Sequence, residues 1–338
     1  MLLIVSEEST TTCDIMKWLD HFGVTYCRVN DKDRKLEHVS VRLNSDGACT
    51  TLRTAEHAIS LEEVQGCFVR HGYWGVEGLN RDLRNSEFPE LWNNMVDQNK
   101  TLMDYVNAQV SGSSRLGDVH RQDSNKLIAL DAARQFGLAI PDTLITTERS
   151  ELEGFMREHD TVVCKSIQNV VHLARENVVH INYTEVLTSD VVKKLPVRFY
   201  PSKFQGYVDK QFEVRTFFVD GVFRSTAIIS QGNAQTKVDF RKYDEAKPNR
   251  VVPFELPKEI EGKLRRLMDH LGFETGSIDV LFSRKHGYVF LEVNPVGQFG
   301  MVSYPCNYHL ERLMAERIIA RMGKPQTAFS NGEAAIQH

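Results

Sequence analysis

The chain is short of cysteine, and the six it has are poorly placed for cross-linking or metal binding. They stand at 13, 27, 49, 67, 164 and 306, form no C-x-x-C pair and have no histidine cluster beside them. That argues against a zinc site or a disulfide framework and for thiols in a reducing, cytoplasmic setting. No run of about 18 apolar residues exists, so a spanning helix is not expected. The N-terminal MLLIVSEEST has no basic segment ahead of its apolar run and an acidic pair after it, which reads as a first β-strand and not a signal peptide. An excess of positive charge is also missing. Lys and Arg number 41 against 45 Asp and Glu, net −4, so a broad nucleic-acid surface is not indicated. Internal repeats and low-complexity tracts are absent. What is present is ordinary globular composition, 41% hydrophobic and 25% charged over 338 residues. That is enough chain for two or three domains, each with a real core.

The pattern along the chain predicts a small α/β block first. LLIV at 2–5 is a strand. A helix over about 11–22 follows, with Ile15, Trp18, Leu19 and Phe22 at helical spacing and Gly23 as its stop. Strands are expected at 24–29, at 39–43 and 48–52 joined by a Ser-Asp-Gly turn, and at 66–74. A long helix is expected over 87–109, and SGSSRLGD (111–118) reads as a domain junction. Beyond it, Ser124 is a candidate cap for a helix to about 136, stopped by Gly137. TVVCK (161–165) is a buried-type strand ending in lysine, and 177–182 is a further strand. Residues 212–231 form two β-rich runs joined by Asp220-Gly221, a strong hairpin signal. A helix over 257–271, strands at 277–282 and 288–293, and a last helix over 307–322 complete the pattern. The remaining residues look like a loose tail.

Chemistry concentrates in the second half. In LEVNP (291–295), Glu292 and Asn294 lie two apart on a strand and project to one face. Asp279 sits on the neighbouring predicted strand. Two carboxylates and an amide oxygen are hard donors that suit Mg²⁺, with water and phosphate completing its shell. Lys165 ends an apolar strand, where its ammonium can point into a cleft. Lys126 opens a helix, where the N-terminus favours anions. Lys210 is a third, weaker candidate for phosphate. The connector FQGYVDKQFEVR (204–215) offers extended backbone to a flat heteroaromatic base. Glu213 could accept ribose hydroxyls, and Arg215 and Arg241 could meet an anion. Taken singly, each of these side chains is more often a solvated surface group.

As an ordered set they resemble the ATP-grasp superfamily. The set runs Lys126, Lys165, Gln205-Gly206-Tyr207-Val208, Glu213-Val-Arg215, Asp239-Phe-Arg241, Asp279 and Glu292-Val-Asn294-Pro, over about 170 residues. E-x-N-P and D-F-R are shared with ribosomal-protein glutamate ligases. STAIISQ (225–231), EVNPVGQFG (292–300) and the opening strand are similar to the microviridin-type, or graspetide, peptide maturases. The resemblance over residues 1 to about 322 is to the variety that accompanies a radical-SAM SPASM protein. It implies an α/β (α+β) ATP-grasp fold with a pre-ATP-grasp domain at 1–115, a central α+β subdomain at 116–205, a C-terminal ATP-grasp lobe at 206–325 and a tail at 326–338. It implies ATP and Mg²⁺ as cofactors. Gln205, Gly206, Tyr207 and Val208 would meet adenine, Glu213 the ribose, and Lys126 and Lys165 the phosphates. Asp279, Glu292 and Asn294 would hold metal, and Arg215 and Arg241 would act on the transferring and acyl phosphates.

The implied reaction is macrocyclisation of a ribosomally made precursor peptide in the cytoplasm by a homodimer. A Glu or Asp side chain, activated as an acyl phosphate, is joined to a Thr or Ser hydroxyl or to a Lys amine. An intermolecular ligase that adds an amino acid to a protein or peptide, and a non-catalytic ATP-binding module, stay open as alternatives. The chain departs from the superfamily in one respect: it has no glycine between Gly154 and Gly206, where a glycine-rich phosphate cover is common. SIQNVVHLAREN (166–177) stands there instead. No general base stands out, although His172, His180 and His286 are available. Arg70-His71 could line a channel for the acidic substrate, and a leader peptide is expected on residues 116–200.

Overall fold

The computed structural model describes residues 1–29, 35–76, 89–110, 114–168, 172–175, 178–181, 184–231 and 249–322. The chain divides into two compact units, one of Met1–Gln122 with His309 onward, the other of Asp123–Tyr308.

The first unit is built on a parallel sheet in the order Tyr26–Val29, Leu2–Ser6, Gly66–Arg70, Arg115–Leu116. Leu2–Ser6 is buried along its whole length, as a central parallel strand covered on both faces must be. Leu3, Val5, Cys67 and Val69 point to one face, where they pack with Met103 and Val106 of the helix Pro89–Gln109. Leu2, Ile4 and Phe68, all buried, point to the other. There the helices Thr10–His21 and Leu310–Arg321 pack against each other, with Arg312 over the Trp18 ring at 5.6 Å. The three-stranded antiparallel sheet His38–Asn44, Gly47–Arg53, Ala58–Ser60 adds Leu52 and Ile59 to the first of these cores. None of the six cysteines is disulfide-bonded. Burial pushes the Cys67 thiol up to about 12, so it stays protonated and inert.

The second unit holds two large antiparallel sheets and a two-stranded one, His172–Arg175 with Val178–Ile181. One large sheet runs Thr143–Glu148, Arg198–Gly206, Val162–Lys165, Glu185–Val186. Its apolar face, with Leu144, Val162 and Phe204, packs on Leu152 and Val192 of the helices Arg149–Glu158 and Ser189–Lys194. The other runs Arg250–Phe254, Val222–Ile229, Phe212–Val219, Thr275–Ser283, Gly287–Asn294. Its apolar face carries Val214, Phe218, Ile278, Val280, Phe290 and Val293. These meet Ala129, Leu130 and Ala133 of the helix Lys126–Gln135 and Leu264, Leu267 and Met268 of the helix Lys258–Leu271. Asp220-Gly221 makes the expected hairpin turn, with φ of 45° and 83° at the two positions, as a two-residue primed turn requires.

Three local expectations change. Asn125, not Ser124, caps the helix at Lys126; its Oδ1 accepts from the Leu127 and Ile128 N–H groups at 3.1 and 3.2 Å. The last helix, expected over 307–322, runs Leu310–Arg321, and a short helix not expected from the sequence, Gly300–Cys306, precedes it. Asn307 and His309, both at positive φ, separate them. The strand Arg198–Gly206 was hidden in the sequence because its first half exposes Tyr200 and Pro201 and shows no alternation.

Candidate functional site

On each large sheet of the second unit one face packs on helices, and the opposite face carries the polar residues of the site, on the larger sheet beside the buried Phe217 and Val219. A β-bulge makes this possible in the strand Gly287–Asn294. Phe290 and Val293 both lie in the core, although they are three residues apart and a regular strand would put them on opposite faces. The register resolves the conflict: Val280 stands opposite Phe290, Asp279 stands opposite Glu292, and Leu291 is the extra residue. Glu292 and Asn294 therefore share the face of Asp279. Asn294 donates from Nδ2 to Glu292 Oε1 at 3.4 Å.

Arg215 is directly opposite Asp279 on the next strand. Its Nη1 donates to both Asp279 oxygens, at 3.0 and 3.2 Å, and its Nη2 to the Gln298 carbonyl at 3.4 Å. Its Nε is buried and has no hydrogen-bond partner among the described residues. A buried N–H so aimed costs about 1–3 kcal/mol unless an anion or water completes it. Gly297 shapes the loop that supplies Gln298. A Cβ there would stand 2.5 Å from Ser277 Cβ, so only glycine lets the loop lie on the sheet. The same Gln298 carbonyl accepts from Ser277 Oγ at 3.1 Å.

Lys126 reaches Glu292 from the helix N-terminus, Nζ to Oε2 at 2.9 Å, with both side chains largely buried. On the other sheet, Lys165 stands opposite Lys203, and Gln205 stands opposite both Val163 and Thr143. Lys203 and Gln205 are 4% and 3% exposed. Gln205 donates from Nε2 to Thr143 Oγ1 at 3.0 Å. Burial lowers the Lys203 ammonium to about 8, with Lys165 and Lys126 adding to the effect and Glu292 opposing it. The polar faces of the two sheets thus share one electrostatic environment of three lysines and a glutamate. Lys203 was missed in the sequence because the strand that carries it was missed.

The connector is partly committed. The Gly206 N–H donates to the Asp142 carbonyl at 3.0 Å and the Tyr207 N–H to the Thr161 carbonyl at 2.9 Å. The Val208 N–H makes no hydrogen bond to the described residues. Lys210 lies on Glu213 at 2.6 Å in a buried pair, and Ser230 Oγ adds a bond to the same Glu213 oxygen at 3.2 Å. Arg241, with Asp239, lies outside the described residues, as do the side chains of His172 and His180. Residues 326–338 do too. His286 is exposed in the turn between the last two strands of the larger sheet.

Among the described residues no three His, Cys, Asp or Glu side chains cluster as a ready-made metal site. The set Asp279, Glu292 and Asn294 has two carboxylates and an amide, few protein donors of hard oxygen type, which fits Mg²⁺ better than zinc. Each carboxylate is now held by a cation, Arg215 or Lys126. No described helix is long and apolar enough to cross a membrane.

No protein-family model matches the chain, and a search of curated proteins gives no significant match. Solved structures do match. The macrocyclase MdnC from Microcystis aeruginosa, bound with precursor peptide MdnA, superposes with TM-score 0.74 at 22% identity, covering 95% of this chain and 100% of that one. A Chryseobacterium gregarium RiPP-associated ATP-grasp ligase, in complex with ADP and a leader and core peptide, gives 0.76 at 24%, covering 96% and 97%. The ATP-grasp ligase PsnB, complexed with a phosphomimetic precursor variant, Mg and ADP, gives 0.70 at 16%, covering 95% and 97%. The chain has the ATP-grasp fold of these proteins, at the α+β class its sequence implied.

Proposed function

We propose that the chain is an ATP-dependent ligase that activates Glu or Asp side chains of a ribosomal precursor peptide and closes macrocyclic ester or amide links. The observation that carries this reading is the ion pair of Lys126 with Glu292 beside the Arg215–Asp279 pair, with the strand that ends in Lys165 on the other large sheet. The fold is also that of ligases solved with precursor peptides and ADP. In this reading Val208 and the Gln205–Tyr207 backbone line the adenine slot and Glu213 meets the ribose. Lys126 and Lys165 hold phosphates. Asp279, Glu292 and Asn294 would hold Mg²⁺, which supplies charge neutralisation on the phosphates.

A carboxylate is a poor acyl donor because its oxygen leaves badly. Transfer of the γ-phosphoryl group makes an acyl phosphate and ADP. A hydroxyl or amine then attacks the acyl carbon, phosphate leaves, and the link forms. The chain's part is positioning and electrostatics. Arg215, fixed by Asp279 and with an uncompleted Nε, is placed to steady the charge on the acyl phosphate, with Arg241 as its second guanidinium. Lys210, spent on Glu213, orients that carboxylate. Residues 1–115 serve substrate binding, and the enzyme works in the cytoplasm as a homodimer beside a radical-SAM SPASM protein.

Intact-mass spectrometry tests the reading. The enzyme is incubated with ATP, Mg²⁺ and a short Thr- and Glu-rich peptide encoded beside it. Loss of about 18 Da per link, abolished in Glu292→Gln, is the expected result for dehydrative closure driven by phosphoryl transfer. A gain equal to an amino acid moves the assignment to intermolecular ligation. Nucleotide binding with no mass change for any neighbouring peptide overturns both.

A further inference from the structure

We propose that Lys203 is a phosphate-binding residue, a third cation that joins Lys126 and Lys165 in holding the polyphosphate of a nucleoside triphosphate. The proposal rests on the reading of this site as a nucleotide site and extends it to a residue with no role so far.

Lys203 lies in the middle of its sheet, and its position is costly. The strand on one side places Lys165 directly opposite it, and the strand on the other places Ile145 there. Neither neighbour is an acid. Like charges opposed across an antiparallel pair destabilise it, and burying an ammonium costs more. Lys203 is 4% exposed and has no ion pair within 4.0 Å among the described residues. The acid that acts on it, Glu292, already takes Lys126 at 2.9 Å.

Lys210 marks the contrast. It is equally buried, and its own acid lies three residues along. A lysine kept only for its stem needs no such unfavourable neighbour. Three ammonium groups around one carboxylate fit a ligand with several negative charges; a single carboxylate would leave the cluster positive. Such a ligand would also hold the proton on Lys203, which burial and Lys165 otherwise loosen.

The test is calorimetric titration of the full chain with ATP, ADP and adenosine, together with thermal melting. It compares the unmodified protein with Lys203→Met, Lys203→Arg and Lys165→Met. Lys203→Met should weaken ATP and ADP by about tenfold or more, change adenosine by less than about twofold, and raise the melting temperature of the nucleotide-free protein. Lys203→Arg should recover most of the lost affinity. Unchanged ATP affinity in Lys203→Met, with ATP lost in Lys165→Met, overturns the role of Lys203 and leaves the nucleotide site standing. Equal losses for ATP and adenosine with a lowered melting temperature mark Lys203 as structural and overturn it too. An unmodified protein that binds no ATP sinks the nucleotide reading itself.

Discussion

Two buried lysines of this chain differ in what surrounds them, and their substitutions should differ in sign. Lys210 is paired with Glu213 at 2.6 Å, so Lys210→Met strands a buried carboxylate. That should lower stability by about 3–5 kcal/mol, read by denaturant unfolding. Lys203 faces Lys165, and its pKa in the folded chain is lowered to about 8 from the ordinary 10.5. Between these values the unfolded chain binds more protons than the folded one, so stability rises with pH. At pH 7 the buried charge is a full burden, and above about 10.5 it is none. The melting-temperature gain of Lys203→Met should therefore be largest near pH 7 and fade as pH rises through that window. The facing charges that modulate this are Lys165, Lys126, Glu292 and Cys164. Arg215 belongs to the same scale. Arg215→Lys keeps a charge but cannot bridge both Asp279 oxygens and still present Nε. It should cut turnover by about a hundredfold or more while leaving ATP affinity nearly unchanged, which single-turnover kinetics would separate.

At the scale of elements, the bulge at Leu291 does the most. It keeps Phe290 and Val293 in the core while Glu292 and Asn294 face the site. Deleting Leu291 leaves every other residue of the strand on its present face, since Phe290, Glu292, Val293 and Asn294 then alternate regularly. The variant should fold, with near-native circular dichroism, and should lose most activity because the bulge no longer aims Glu292 at Lys126. A variant that folds and turns over normally would show the bulge to be incidental. The cap at Asn125 is the second lever. Asn125→Ala frees the Leu127 and Ile128 N–H groups and should cost about 1 kcal/mol, with weaker ATP binding as Lys126 frays.

Much of this scale was legible beforehand, because hairpin turns and alternating runs are local signals. Asp220-Gly221, the two strands it joins and the Asp279/Glu292 pair all stand where the sequence implied. What was not legible is cross-strand partnership. Nothing in SKFQG says that its lysine lies against Lys165, and nothing in SIDV says that its aspartate bridges Arg215. Those facts come from register, which depends on residues far apart in the chain. The short helix Gly300–Cys306 was equally hidden, since its 7 residues are too few to show a helical period.

At the scale of the whole molecule, the second unit is one continuous stretch, Asp123–Tyr308, whereas the first is assembled from both ends of the described chain. The buried face formed by Leu2, Ile4 and Phe68 is closed by the helix Leu310–Arg321. Met322 comes to within 2.8 Å of where a Cβ on Gly66 would stand, and Arg321 bonds to the Arg115 carbonyl. A fragment of residues 123–308 should therefore give a cooperative melt and bind ATP alone, whereas residues 1–122 should not melt cooperatively. Either result reversed would mean that the two units depend on each other differently.

This discontinuity has a consequence for synthesis on the ribosome. The strand Leu2–Ser6 emerges well before the helix Leu310–Arg321 that covers one of its faces. At about 5–20 residues per second, the 186 positions between Gln122 and His309 take roughly 10–40 s to add. For that interval the nascent chain carries an open apolar sheet face, and the window ends only when the helix Leu310–Arg321 clears the exit tunnel.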